Sequence, residues 1–243
     1  MQRPLAAFAF VCALSRSITP ALAGTVYSND FETNTNGFSS ASTTVLPTDA
    51  GGFSSAQNSR MLGRFANDTV TLSLSGLIPG IVHTVAFDLF IGASWDGNDT
   101  SFGPDRWQLT VAGIDLVDAT FANLSGSTQS YSDATPTGPG THAASTGADV
   151  VFVAGLSVFD RYSIYSFSKG ARNPVLTFTP LASTASLSFE GSSLQAVGDE
   201  FWAIDNVEIT TATVVPEPST LAGSLLDACF AGLVAARRLR ATR

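Results

Sequence analysis

Between residues 24 and 213 no stretch keeps the 3.6-residue apolar period of an amphipathic helix; short runs alternate with period two instead. In Thr69–Ser75, Val70, Leu72 and Leu74 fall on one face and hydroxyl residues on the other. Val85, Phe87, Leu89 and Ile91 repeat the pattern, as do Trp107, Leu109 and Val111, and Ala185, Leu187 and Phe189. A strand with one buried face alternates in this way, because successive side chains point to opposite sides of a sheet. Further strands are expected at 26–31, 61–65, 158–167, 175–179 and 201–209. Ile78-Pro79-Gly80, Asp96-Gly97-Asn98, Gly103-Pro104 and Glu190-Gly191 supply turns between them. About ten short strands in this length predict an all-β fold: a single antiparallel β-sandwich, jelly-roll-like, over residues 24–213. Residues 123–149 break the pattern, being rich in Ser, Thr, Gly, Pro and Ala. This long loop is expected either to cover one end of the sandwich or to be a mobile insertion.

Charge narrows the function. The whole chain has a net charge of −8 and Lys169 is its one lysine. Residues 24–215 hold 18 acidic against six basic residues, a balance of −12. Nucleic acid is excluded as a partner, since counterion displacement needs a basic patch. Cations are more credible partners for such a surface. The two cysteines, Cys12 and Cys229, lie in the terminal apolar runs, so neither a disulfide framework nor a thiolate metal site is expected.

The two ends read as processing segments. Residues 1–23 form a cleavable signal helix: Arg3, then a short apolar run, then Ala21-Leu22-Ala23 before Gly24. Residues 214–243 carry Pro216-Glu217-Pro218, an apolar helix at 221–236 and a basic end with Arg237, Arg238 and Arg240. The prolines keep the first part extended, and the arginines favour the cytoplasmic side of a membrane. This order of parts resembles the PEP-CTERM sorting signal of Gram-negative bacterial surface proteins. The resemblance implies an exosortase-type membrane peptidase as partner and transient inner-membrane anchoring through 221–236. It also implies delivery to the cell surface or the exopolysaccharide matrix. Asp227 departs from the pattern, since a carboxylate within the apolar segment opposes insertion.

Two groups of residues carry candidate chemistry. Asp30 and Glu32 share one face of the first strand, and Asp205 lies in an apolar strand whose Phe201, Val207 and Ile209 suggest an inward face. A carboxylate placed there needs a partner, and a hard cation such as calcium fits. An opening Asp-Phe-Glu and a closing Ile-Asp-Asn-Val are similar to the ends of MAM domains and carbohydrate-binding modules. That resemblance implies first and last strands that pair and share a structural calcium, with Asp30, Glu32 and Asp205 as its ligands. The second group is Trp95, Asp96, Asn98 and Asp105, in the loop between the strands expected around Val85–Ile91 and Trp107–Val111. An aromatic face stacks on sugar rings while Asp and Asn bond hydroxyls, so the loop is a candidate polysaccharide contact; its spacing also suits a second calcium, or plain turn structure.

No nucleophile elbow, zinc-binding helix or phosphate loop occurs in the sequence, and the chain is expected to be non-catalytic. A glycan-active hydrolase using Glu200 as acid, and a purely structural surface protein, are the alternatives.

Overall fold

The computed structural model describes residues 24–45, 59–153, 161–169 and 174–211. The expected signal helix, the sorting motif with its arginines and the apolar C-terminal helix lie outside the described residues.

In chain order the strands are β1 (Gly24–Asn29), β2 (Thr43–Val45), β3 (Arg60–Phe65), β4 (Thr69–Ser75) and β5 (His83–Ala93). Then come β6 (Arg106–Val111), β7 (Ile114–Thr120), β8 (Thr128–Gln129), β9 (His142–Ala143) and β10 (Val150–Val153). β11 (Arg161–Phe167), β12 (Leu176–Phe178), β13 (Thr184–Ser192) and β14 (Glu200–Thr211) complete the order. Among the described residues there is no helix, and every strand pairing is antiparallel.

An eight-stranded sheet runs β10-β11-β5-β14-β3-β2, with β12 also beside β5 and β1 also beside β14. A four-stranded sheet runs β4-β13-β6-β7. The two sheets share one core. Val70, Leu72, Trp107, Leu109 and Phe189 come from the smaller sheet; Phe87, Leu89, Ile91, Phe167 and Trp202 come from the larger. The alternation of the sequence is therefore the alternation of burial: β4 reads exposed-buried along its length, with Val70, Leu72 and Leu74 inside.

β14 corrects one expectation. Asp205 pairs with Asp88 and Glu208 with Ala86, so Asn206 and Val207 together face the single residue Phe87. This bulge is built on Asn206, whose φ of 51° lies in the left-handed region that asparagine tolerates best among residues with a Cβ. An extra residue flips the phase of the strand. Trp202 and Ile204 before the bulge and Val207 and Ile209 after it all face the core. Asp205 falls on the opposite face with Phe201 and Ala203, where a second apolar cluster adds Met61, Phe90 and Ala93. Its carboxyl is buried by what covers that outer face, not by the core.

The polar stretch at 123–149 is folded over one end of the core. Tyr131 is buried, stacking on Phe121 at 4.7 Å between ring centres and meeting Tyr165 edge-on at 5.2 Å. Gln129 is the hub. Its Oε1 accepts the amides of Ala122 and Ser145, and its Nε2 donates to the carbonyls of Tyr131 and Thr146. One buried side chain thus satisfies backbone groups that the stretch's own turns and its short β8–β9 pairing leave over.

Candidate functional site

The connection from β5 to β6 is buried at its two ends, Ser94–Trp95 and Asp105, and exposed at its middle, Asp99–Phe102. Trp95 has no exposed surface, and its Nε1 donates to the Phe201 carbonyl at 3.1 Å. A ring buried in this way offers no face to a sugar, so Trp95 packs the sandwich end and is not a stacking platform. Gly97 is pinned beneath the long loop: with φ at 70°, a Cβ there would stand 2.2 Å from the Thr128 carbonyl oxygen. Glycine alone allows that approach.

Asp105 closes the same connection and is fully buried. Its Oδ2 accepts the backbone amide of Asp96 and that of Gly97, the latter at 3.1 Å. Glu200, the first residue of β14, is also fully buried; its Oε2 accepts the Gln195 amide at 2.5 Å. Strand pairing places Glu200 opposite Ala93, and so beside the start of the loop that bears Asp96. Asp96, Asp105 and Glu200 therefore converge, with one oxygen of each within 4.8 Å of the others, close enough for one metal ion to touch all three.

These groups resist ionisation. Burial pushes the Asp105 carboxyl up to about 7, against the two amide bonds, and the neighbouring Asp96 adds to the rise. Burial pushes Glu200 up to about 8, and Asp105, Asp96 and Asp199 push the same way. Asp96 is raised more modestly, by burial and then by Asp99 and Asp199. A proton shared between Asp105 and Glu200 would ease the strain in the metal-free protein; without it the facing oxygens, Asp105 Oδ1 and Glu200 Oε1, have no donor.

The residues expected to share calcium are arranged differently. Glu32 and Asp205 do approach one another: the Ser59 hydroxyl lies 2.9 Å from Glu32 Oε1 and 3.1 Å from Asp205 Oδ2. Asp30 takes no part. It is exposed, and its Oδ1 accepts the Glu32 amide in a tight turn at 3.2 Å. Among the described residues the acidic group that closes to ligand spacing is the one at Asp96, Asp105 and Glu200, two of which had been expected to contact glycan.

Asn98 is the member of that loop group that reaches a surface groove. The groove, of about 300 Å3, lies where β6 and β7 meet the long loop, and Arg106, Asp118, Thr120, Ser130 and Gly140 line it with Asn98. Arg106 grips Asp118 with two parallel bonds, Nε to Oδ1 at 2.5 Å and Nη2 to Oδ2 at 2.6 Å. Asn98 donates to the Gly140 carbonyl at 3.1 Å and accepts from the Thr120 hydroxyl at 2.5 Å, which fixes one wall.

The fold and site together define an all-β protein of two main antiparallel sheets and a short two-stranded one, with a largely buried acidic triad at one end. No known family and no curated protein matches the sequence. Among solved structures, an insecticidal delta-endotoxin from Bacillus thuringiensis is similar at 12% identity and a TM-score of 0.31, over 61% of this chain and 19% of that one. The CBM22-1 and GH10 modules of a Clostridium thermocellum endo-1,4-beta-D-xylanase, complexed with xylohexaose, are similar at 13% identity and a TM-score of 0.29. That match covers 77% of this chain and 28% of the xylanase chain. The chain thus spans less than a third of either structure, and likeness of this degree identifies no ligand.

Proposed function

We propose that this chain is an exported, jelly-roll-like β-sandwich protein of the cell surface or exopolysaccharide matrix of a Gram-negative bacterium. It is sorted by the PEP-CTERM-like segment 214–243 and binds polysaccharide without catalysis. The observation that carries the binding role is the polar groove at Asn98, Arg106 and Asp118, whose donors and acceptors are held in place by one another. Rigid polar groups at an open groove suit a ligand made of hydroxyls, because little ordering remains to be done on binding. Burial of Glu200 favours the non-catalytic reading, since the carboxyl that a hydrolase needs as its acid has no exposed surface.

The test uses the full chain and the exopolysaccharide of its producing cells. In affinity electrophoresis, Arg106→Ala is expected to weaken retention about tenfold, the loss of roughly 1.4 kcal/mol. Its effect on folding stability should stay small, as for a half-exposed ion pair. Equal retention of variant and wild type would overturn the groove and leave a purely structural surface role. Mass spectrometry of the mature protein checks the sorting route: a C-terminus near residues 216–218 supports it, and an intact Arg243 removes it.

A further inference from the structure

Two carboxyls in the same buried space each have an oxygen that no third group bonds. Asp105 Oδ1 and Glu200 Oε1 are buried on side chains with no exposed surface, and beyond a proton that the two carboxyls could share between them neither has a hydrogen-bond partner among the described residues. The other oxygen of each is held by backbone amides, from Asp96 and Gly97 in one case and Gln195 in the other. Each carboxylate is thus held by one oxygen and leaves the other available, as metal ligands are when a second layer of bonds fixes them, and one oxygen of each lies within 4.8 Å of the other and of Asp96.

We propose that Asp96, Asp105 and Glu200 bind a calcium ion that ties the β5–β6 connection to the first residue of β14. The mutual spacing, within 4.8 Å, matches oxygens around one ion, since ligands on opposite sides of calcium stand about 4.6–5.2 Å apart. A fourth oxygen is at hand. The Asp99 carbonyl and Asp105 Oδ1 lie 2.8 and 2.7 Å from the point that a Cβ on Gly103 would occupy, so the two oxygens stand no more than 5.5 Å apart (2.8 plus 2.7) and Gly103 leaves the space between them open. The donors are all oxygen, which selects a hard cation over zinc or copper. Magnesium keeps several waters and demands near-octahedral geometry, whereas calcium accepts carboxylates and carbonyls from a buried, irregular cage.

Among the described residues no ion pair reaches the triad, and Asp99 and Asp199, which act on it, are negative as well. The ion would fix the loop that carries Asn98 and with it one wall of the groove. The site itself stands independently of the polysaccharide reading, and its test reads metal binding alone.

The full chain is stripped with EGTA, then titrated calorimetrically with calcium chloride and, in parallel, with magnesium chloride. One calcium per chain is expected, with magnesium at least tenfold weaker. A hundredfold excess of calcium over Kd should raise the melting temperature by about 5–10 °C. Glu200→Gln, which keeps shape and removes charge, is expected to weaken calcium at least tenfold; Glu32→Gln should leave it within twofold. Asp96→Asn, at the more exposed edge of the cluster, provides the same test should the Glu200 variant not fold. Absence of both heat and thermal shift would overturn the site and leave a proton-sharing acid pair. So would unchanged binding in Glu200→Gln and Asp96→Asn, or loss of binding in Glu32→Gln, which would place the ion at Asp205.

Discussion

Replacing Trp202 with alanine is expected to destabilise the protein by about 3–5 kcal/mol, the range for removing a buried tryptophan. The residue sits on β14 of the larger sheet and has no exposed surface. Its ring lies 4.8 Å from that of Phe65 and meets Trp107 of the smaller sheet edge-on at 6.1 Å. Its Nε1 donates to the Ala66 carbonyl at 2.8 Å. Gly191 of β13 lies flat against it: a Cβ there would stand 2.4 Å from that same nitrogen. One side chain therefore joins both sheets, and alanine would lose the apolar contact, open a cavity and strand a carbonyl. Trp202→Phe keeps much of the volume and should cost less, about 1–2 kcal/mol, mainly through the lost hydrogen bond. Urea denaturation of the two variants measures the difference. A loss below about 1 kcal/mol for alanine would show that the sheets do not depend on this contact.

The strands could be read from sequence because each has one wet and one dry face. Thr69–Ser75 obeys the rule without exception, and β4 occupies those residues. The rule fails where a backbone device changes the phase. At Asn206 one residue is added, and Asp205 leaves the face that Val207 and Ile209 keep. Nothing in a two-residue period announces a bulge, although Asp-Asn within an apolar strand is a place to expect one.

Trp95 failed for a different reason. An aromatic among Asp, Asn and Gly reads as an exposed binding residue, yet this end of the loop is buried and the indole bonds to Phe201. The triad was half legible. Asp96 and Asp105 stand in one loop, but Glu200 joins them only through its pairing with Ala93, over a hundred residues earlier in the chain. The available signal was an acid placed directly before the apolar run Phe201-Trp202. The stretch 123–149 could be read as a cover over one end or as a mobile insertion because its anchors are two residues, Gln129 and Tyr131, in a run poor in apolar side chains.

Asp205 should make the protein less stable as the pH rises. Burial on the outer face of the sheet pushes its carboxyl up to about 7, opposed by the Asn206 amide and the Ser59 hydroxyl. Asp88, its partner across the strands, raises it further, while Lys169, bonded to Asp88 at 2.8 Å, lowers it. Glu32 faces it across Ser59. The folded state thus holds this proton more tightly than the unfolded chain, whose aspartate titrates near 3.9. Between these two values the native state binds more protons, so stability falls with rising pH. The contribution is complete below pH ~4, declines as the pH climbs to about 7, and is gone above that. At about 1.4 kcal/mol per pH unit the upper bound is near 4 kcal/mol. Asp205 keeps a little exposed surface and Glu32 beside it is exposed, so about half of that is expected, or about 5 °C in melting temperature. Asp105 and Glu200 slope in the same direction in metal-free protein, so the measurement must isolate Asp205. Melting curves of wild type and Asp205→Asn in EGTA, at pH 4.5 and pH 7.5, do this, because the triad's share is common to both proteins. The drop between the two pH values should be about 5 °C smaller in the variant. Equal drops would mean that Asp205 is ionised throughout, and that Ser59 and the Asn206 amide are enough to hold its charge inside the protein.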